Sequence, residues 1–248
     1  MEVSLIAHTP NPDLIVSAAG RLCYSNKTAS QVVDMMKDDD ESSKMIRMLM
    51  NLGHESPIEH VSFTFAVEGV SRVLLAQLTR HRIASYSVKS QRYVDEGQFN
   101  YTVPPEIEDD KELEKIFHNA MIDDIKTYNL LADKLELKYI NAGMGKSAAR
   151  KKAIEDARFV LPNACHTQLI FTMNARSLLN FFELRCCERA QWEIRELATE
   201  MLRLVRKVAP VMFGNAGPNC YTDGVCSEGK MTCGKSKEIQ EKFANLEE

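Results

Sequence analysis

The sequence predicts a single domain of mixed α and β structure, with a few short strands placed among longer helices. Short stretches alternate apolar and polar residues, as half-buried strands do, whereas longer stretches repeat apolar residues at helical spacing. No internal repeat and no obvious linker divides the 248 residues. We expect this domain to cover residues 1–213, followed by a Cys- and Gly-rich, charged tail over residues 214–248.

The chain is predicted to begin with a strand and two helical regions. Residues 2–7 form the strand. A helix follows from Pro12 to about Leu22, with Asn11 as N-cap and proline at the first helical position. Residues 32–52 are predicted to be helical with a break at the charged run 38–40, and Gly53 is suited to end that region.

The middle of the chain is predicted to contain a strand, a short helix and one long helix. Apolar residues alternate over residues 61–67, which predicts a half-buried strand. Ser71 is placed to cap the next helix, which leads into a basic stretch. Pro104 and Pro105 interrupt the chain, and residues 111–138 then repeat apolar side chains at helical spacing.

Three further helices and one strand are predicted to complete the domain. One helix begins with Ser147 as its N-cap and extends to Leu161, before Pro162. Residues 165–173 are predicted to form a strand. One helix is predicted to begin at Ser177. The last helix is predicted over residues 191–209 and has a clear apolar stripe.

Composition excludes several classes of protein. The chain is 44% hydrophobic and 27% charged with a formal net charge of −4, which argues against general binding to nucleic acid. No apolar run reaches the roughly 18 residues that a membrane helix needs, and no secretory signal opens the sequence. Seven cysteines, two of them adjacent, do not suit a disulfide framework. We therefore expect a cytoplasmic protein with no membrane partner.

The basic stretch RHRIASYSVKSQRY, residues 80–93, is the strongest functional signal in the sequence. It concentrates arginine and serine and contains no acidic residue, although the whole chain is acidic. Arginine holds phosphate oxygens in pairs, and a serine hydroxyl supplies one more donor. The pattern favours a small phosphate-bearing ligand over the alternative, a solvated charged surface.

Other motifs give weaker signals. The stretch NAGMGKSAARKK lacks the first glycine of a phosphate-binding loop, because Ile140 stands in its place. Pro57 interrupts HESPIEH and prevents the helical histidine pair of a zinc protease. The tail cysteines Cys220, Cys226 and Cys233 have no obvious fourth ligand, so we assign no metal site from the sequence, which leaves open whether the tail binds a metal.

The stretch NARSLLNFFELR, residues 174–185, places Arg176, Asn180 and Leu184 on one helix face. Such a face suits either a ligand ring lying along the helix or an ordinary helix boundary, and the sequence leaves both open. Cys186 and Cys187 follow Arg185, but neither stands in a recognisable setting for an activated nucleophile.

The basic stretch resembles the RHR-x7-S-x-R motif of the flavin-dependent (alternative) thymidylate synthases. The match is carried by five residues: Arg80, His81, Arg82, Ser90 and Arg92. HESPIEH, the arginine before VLP and NARSLLNFFELR followed by AQWEIRE are also similar to that family and occur in its order. The resemblance covers roughly residues 10–210.

The resemblance implies an α+β homotetramer with a small antiparallel sheet flanked by long helices and with active sites at subunit interfaces. It implies FAD as cofactor, NADPH as reductant and 5,10-methylenetetrahydrofolate as carbon donor. The implied reaction is the reductive methylation of dUMP to dTMP, without an obligatory covalent bond from a cysteine or a serine to dUMP.

The resemblance also implies the residues of the site. The expected flavin contacts are His54, Ser56, Glu59, Arg80, His81, Arg82, Asn174, Arg176 and Asn180. The expected dUMP contacts are Gln77, Arg80, Ser90, Gln91, Arg92, Arg158 and Arg185. Arg185 is expected to be catalytic, because its charge would stabilise negative charge developing on the uracil ring.

The chain departs from the family pattern at two positions. Val88 stands where many relatives carry an acid, and Arg189 stands where some carry a histidine. A competing hypothesis is a non-catalytic nucleotide- or RNA-binding module that retains the basic stretch. That module would be colourless and would bind oligonucleotides with steep salt dependence, whereas the enzyme would be yellow.

Overall fold

The computed structural model describes residues 1–246, which fold into twelve α-helices, four β-strands and three short 3-10 helices. The strands are β1 Glu2–His8, β2 Ser62–Ser71, β3 Ser85–Val88 and β4 His166–Asn174. The helices are α1 Pro12–Leu22, α2 Ala29–Met35, α3 Asp39–Leu52, α4 Arg72–Leu78, α5 Pro105–Glu108, α6 Lys111–Asn141, α7 Lys146–Ala157, α8 Ala175–Arg185, α9 Trp192–Val208, α10 Pro210–Phe213, α11 Asn219–Thr222 and α12 Ser236–Ala244. The 3-10 helices are Ser56–His60, Arg158–Val160 and Gly229–Met231.

The strands pair in the order β1-β2-β4-β3 in one small antiparallel sheet. This confirms the predicted mixture of helices with a small antiparallel sheet. The sequence analysis assigns no strand at Ser85–Val88, where β3 forms an edge of the sheet. These four residues include two serines and therefore give only a weak strand pattern. The strand forms because its backbone pairs with that of β4.

The chain forms two compact units. The first comprises Met1–Glu2, Val67–Gln77 and Ser87–Leu169, and the second comprises Val3–Ala66, Leu78–Tyr86 and the chain from Ile170 onward. Strands β2 and β4 contribute residues to both units.

The first unit is centred on the long helix α6 and its neighbour α7. Tyr128 and Ala132 of α6 pack with Ile154 and Ala157 of α7, and all four side chains are buried. Two alanines in this contact allow the helices to approach closely. Burial against α7 therefore accounts for part of the apolar spacing that predicts one long helix, while Leu113 and Ile116 near its start are exposed.

In the second unit, α1 and α3 pack closely. A Cβ atom added at Gly20 would lie 2.5 Å from Leu49 Cδ1, so any other residue here would require the Leu49 side chain to shift. Ser42 Oγ donates to Ser17 Oγ at 2.8 Å, which gives these buried hydroxyls partners.

An aromatic core in the second unit supports α8. Phe63 of β2 lies edge-on to Phe213, with ring centroids 5.4 Å apart, and Phe213 lies edge-on to Phe182 of α8 at 5.9 Å. These three rings are fully buried. The core therefore fixes the buried face of α8 and leaves its opposite face available for polar side chains.

Several predicted helix ends differ from the structure. Asn11 is the N-cap of α1 and Pro12 its first residue, as predicted, but Asn11 adopts a left-handed conformation with φ of 49° and makes no side-chain capping bond. Helix α7 has Gly145 as its N-cap, so the cap predicted at Ser147 is wrong. The charged break is confirmed, because Asp38 caps α3, and Gly53 ends that helix at a φ of 68°.

The described part of the tail contains α11 and α12. Arg206 of α9 is buried and donates hydrogen bonds to the carbonyl oxygens of Phe213, Ala216 and Phe243. A domain boundary at residue 213 stays a prediction, and the last two residues of the predicted tail lie outside the described residues. Within residues 1–246, no helix is both long and apolar enough to cross a membrane.

Candidate active site

The turn that carries the RHR motif is fixed by Tyr86. The chain leaves α4 at Leu78, and the Tyr86 hydroxyl lies 2.9 Å from the carbonyl oxygens of both Leu78 and His81. The Tyr86 ring also stacks on Phe171 with centroids 5.8 Å apart. Burial raises the pKa of Tyr86 to about 12, so the hydroxyl keeps its proton for these contacts. Sequence analysis does not identify Tyr86, because tyrosine within a serine-rich stretch carries no distinctive signal.

His81 and Arg185 form a direct contact at the centre of the site. Arg185 Nε donates to His81 Nε2 at 3.1 Å, which requires a neutral imidazole with a free lone pair on that nitrogen. Burial and the adjacent charge of Arg185 lower the pKa of His81 to about 4. The imidazole also lies edge-on to Phe181, with centroids 4.9 Å apart. At neutral pH, His81 therefore orients Arg185 without neutralising it.

Arg185 stands in an electrostatically unfavourable place for a cation. Its pKa is lowered, first by burial and then by the charge of Arg80. A guanidinium nevertheless remains protonated at physiological pH. Two positive charges held together in this way create a local potential that attracts an anion.

Whereas Arg185 lies near another cation, Arg176, in the first turn of α8, lies among negative charges. Its guanidinium contacts Glu55 at 2.7 Å and Glu59 at 2.5 Å, and its pKa is raised, first by the hydrogen bond to Glu59 and then by the charge of Glu55. Asn174 caps α8 by accepting from the backbone N–H of Ser177 at 2.8 Å. These contacts attach the first turn of α8 to the segment around Ser56–His60.

One open cleft of about 1370 Å³ in the second unit collects many of the predicted flavin contacts. The predicted site residues in its lining are Glu59, Arg80, His81, Arg82, Asn174, Arg176, Asn180 and Arg185. Leu184 also lines it, so the shared helix face predicted for Arg176, Asn180 and Leu184 is observed. Within residues 1–246, the lining includes neither His54, whose ring contacts the Tyr24 hydroxyl at 3.1 Å, nor Ser56.

The cleft also has walls that sequence analysis does not identify. Arg47, Met50 and Asn51 of α3 contribute to one part of it. Residues 214–217 and 219, 222 and 223 of the tail contribute to another part. No motif marks these residues, because their position depends on the packing of distant elements.

The remaining predicted dUMP contacts lie in the first unit. Arg92 Nε lies 2.8 Å from Glu155 Oε1, and Arg158 Nε donates to the Glu155 carbonyl oxygen at 3.1 Å. Both arginines therefore contact Glu155, Arg92 through its carboxylate and Arg158 through its backbone carbonyl. The Arg92 backbone N–H donates to Ser90 Oγ at 3.2 Å, and the buried Gln91 contacts the Cys165 sulfur at 3.6 Å.

Gln77 lies in α4, where its side-chain nitrogen donates to the Val73 carbonyl oxygen at 3.4 Å. Gln77 is the last residue of its segment of the first unit. The next segment, Leu78–Tyr86, belongs to the second unit and carries the RHR motif. The predicted site residues thus fall into one group in each unit.

Comparison with known proteins identifies the family. The profile of the family described as "Thymidylate synthase complementing protein" matches residues 4–211. A relative from Clostridium tetani is 56% identical over 97% of this chain and 96% of its own length, and it is named a flavin-dependent thymidylate synthase. The chain belongs to the flavin-dependent thymidylate synthase family.

Two further members of the flavin-dependent thymidylate synthase family show how far the similarity extends. The relative from Geobacter sulfurreducens is 46% identical over 99% of both chains. The relative from Pyrococcus abyssi is 37% identical over 99% of this chain and 98% of its own length. The family profile ends before the tail, although these alignments continue into it.

Proposed function

We propose that this protein is a flavin-dependent thymidylate synthase that converts dUMP to dTMP by reductive methylation. The carbon donor would be 5,10-methylenetetrahydrofolate and the reductant NADPH. The observation that carries the proposal is the convergence of the RHR turn and α8 on one cleft, where neutral His81 orients Arg185. The three relatives compared above bear the name of this activity.

The cleft fits FAD as the cofactor. Its volume of about 1370 Å³ exceeds the roughly 300–1,000 Å³ of an ordinary small-molecule pocket, as a dinucleotide beside a second ligand requires. Arg80 and Arg82 offer cations for a diphosphate, and Asn174 and Asn180 offer amide groups for a polar ring edge. Arg176, which is paired with Glu55 and Glu59, is assigned a flavin contact from the family motif. FAD would supply the hydride that completes the methyl group.

The other flavin assignments follow the family motif. We assign contacts also to His81 and Glu59 inside the cleft, and to His54 and Ser56 outside its lining. Contacts from these last two residues require a cofactor that extends beyond the cleft.

Arg185 is the residue we assign to activation of the uracil ring. Its guanidinium donates a hydrogen bond to His81, and because that imidazole is neutral it does not offset the positive charge of Arg185. Placed beside N3 and O4 of dUMP, it would stabilise negative charge as C5 becomes nucleophilic. A fixed donor that is already oriented needs little reorganisation during the reaction.

The dUMP phosphate and sugar would be held by Arg80 and by Gln77, Ser90, Gln91, Arg92 and Arg158. Arg92 and Arg158 both contact Glu155 in the ligand-free structure. A phosphate would compete with the Glu155 carboxylate for Arg92 and gain charge-assisted hydrogen bonds from both guanidinium groups.

No thiol is needed to activate the nucleotide. Cys186, the cysteine that directly follows Arg185, is 2% exposed, and burial raises the pKa of its thiol to about 12. A buried thiol with a raised pKa is a poor nucleophile, because the thiolate is the reactive form. This supports activation by Arg185 without a covalent bond between dUMP and Cys186.

We also propose a cytoplasmic homotetramer with active sites at the subunit interfaces. Large apolar side chains adjoin the site residues, with Ile83 73% exposed beside Arg82 and Phe159 83% exposed beside Arg158. Exposed apolar residues next to functional side chains are typical of surfaces that a second subunit covers. The seven cysteines are free thiols, which agrees with a reducing compartment.

The test is an anaerobic assay of dTMP formation with dUMP, NADPH and methylenetetrahydrofolate, each omitted in turn, repeated with protein from which bound FAD has been removed, with and without added FAD. We expect a yellow protein and dTMP only in the complete mixture. Turnover without FAD, or a colourless protein that binds oligonucleotides and forms no dTMP, would contradict the proposal. Light scattering on the same sample tests the tetramer.

A further inference from the structure

Four cysteines surround a second, smaller cavity in the second unit. Cys187 follows α8, Cys220 lies in α11, and Cys226 and Cys233 lie in the tail segment between α11 and α12. All four line one cavity of about 80 Å³. Sequence analysis recognises only the three tail cysteines, because Cys187 lies 33 residues before them in the chain.

The exposure pattern of the tail singles out these thiols. Every residue from 222 to 235 is exposed except Cys226 and Cys233, which are partly buried. The apolar residues of the same segment face outward, with Val225 71% and Met231 56% exposed. Cysteine is itself among the residue types most often buried. What distinguishes this segment is that Cys226 and Cys233, and not the larger Val225 and Met231, line the cavity.

We propose that Cys187, Cys220, Cys226 and Cys233 bind a thiolate-ligated metal centre, either a zinc ion or an iron–sulfur cluster. Four cysteine thiolates are the usual ligand set of both centres. For zinc, four S–H bonds release four protons to solvent and four Zn–S bonds form, without any oxidation or reduction. A cluster requires iron and inorganic sulfide as additional components.

Binding would require the tail loops to close. In residues 1–246, no group of three or more His, Cys, Asp or Glu side chains has an arrangement that could already hold a metal ion. Cys226 and Cys233 lie next to turns at Gly224 and Gly234, where φ is 73° and 75° and no atom lies within 4 Å of an added Cβ. Such open turns let the two sulfurs move toward Cys187 and Cys220 without displacing packed side chains.

The centre would also stabilise the wall of the larger cleft. Cys187 lies two residues after Arg185, and Asn219 lines both cavities. A metal bound by Cys187 and the tail would therefore join the C-terminal end of α8 to the segment that closes the cleft. The proposal does not rest on the reaction catalysed, because metal binding is measured separately from turnover.

The test begins with metal analysis of the full chain, produced without a histidine tag and purified anaerobically. We expect about one zinc per chain without sulfide, or about four irons with sulfide, which distinguishes the two centres. Cys226→Ser and Cys233→Ser should each lose at least about ten-fold of that metal, since a neutral hydroxyl is a poor ligand. Cys23→Ser should keep it, because Cys23 is exposed and lies outside the cavity.

A second measurement needs no variant. In the wild-type protein, alkylation of Cys226 and Cys233 followed by mass spectrometry should be slow before chelator treatment and at least about ten-fold faster after it. Three results would overturn the proposal. They are a wild-type chain that neither contains metal nor binds zinc or reconstituted iron and sulfide, equal metal in the serine variants, and disulfides among the four cysteines.

Discussion

Two arginines, one in each unit, have opposite electrostatic surroundings. Arg185 in the cleft contacts a neutral histidine and lies near Arg80, and its pKa is lowered by burial and by that second cation. Arg150 in the first unit contacts Asp95, and it lies 3.1 Å from both Asp133 and Glu136. Its pKa is raised, first by the hydrogen bond to Asp95.

The difference indicates which cation is available to a ligand. An arginine already bound to carboxylates has satisfied donors, and an incoming anion would have to displace them. An arginine held by a neutral acceptor beside another cation gains most when an anion arrives. We therefore assign Arg185 to chemistry and Arg150 to the folding of the first unit.

The largest effect is expected for Arg185→Gln. Removing the charge that stabilises the developing anion should lower turnover of dUMP by about 10²–10³-fold, the usual loss for one such donor. Single-turnover formation of dTMP in the flavin-loaded protein measures it. Arg21→Gln, which changes an exposed arginine of α1, serves as the control and should keep normal turnover. Equal rates in both variants would contradict the assignment.

A pH effect is expected from His81. Its pKa is about 4 in the folded protein and 6.5 ordinarily, so the unfolded chain binds the proton more readily. Stability is therefore unaffected by this group above about pH 6.5, falls as the pH drops toward 4, and loses about 1–3 kcal/mol in total. Urea unfolding of the ligand-free wild type and of His81→Gln across this range checks it. The two pH profiles should diverge below about pH 6.5, and parallel profiles would show that His81 does not titrate in this way.

A smaller effect is expected for Arg150→Gln. The substitution leaves three carboxylates without their shared cation, and the partial exposure of these groups limits the cost to about 1–2 kcal/mol of unfolding free energy. The flavin-loaded protein should nevertheless turn over at the wild-type rate below its melting temperature. A stable variant that has lost turnover would reverse the assignments of Arg150 and Arg185.

The smallest effect is expected for Tyr86→Phe. The ring keeps its stack on Phe171, while the carbonyl oxygens of Leu78 and His81 lose their donor, at a cost of about 1 kcal/mol. Thermal unfolding checks the stability. Because the RHR turn would loosen, flavin affinity should also fall by about ten-fold or less. Phe99→Leu in the first unit is a control that should lower stability without changing flavin affinity.

Sequence reasoning predicts the elements of this fold better than it predicts their ends. Long apolar periodicities identify α6 and α9. In α9 the repeat reflects one buried stripe, whereas the buried residues of α6 are Met121, Tyr128 and Ala132. The N-cap of α1 is predicted at the right residue, Asn11, although its left-handed backbone is not, whereas α7 is capped by Gly145 and not by Ser147. The strand at Ser85–Val88 is missed because pairing with β4 favours it more than its own residues do.

The candidate site shows the same limit. Motifs identify Arg80, His81 and Arg185 individually, but the contact between His81 and Arg185 joins residues 104 positions apart. Tyr86 and the cleft wall from α3 carry no motif at all. The fourth thiol, Cys187, likewise joins the tail cysteines only in the folded chain.

Titration of FAD into flavin-free protein tests most directly whether the cleft in the second unit holds the cofactor. Arg80→Gln and Arg82→Gln change cleft cations, whereas Arg150→Gln and Arg21→Gln change arginines outside its lining. Each cleft substitution should weaken binding by about ten-fold or more, the value of one charge-assisted hydrogen bond, while the two controls should match wild type. Equal FAD affinity in all five proteins would contradict the account.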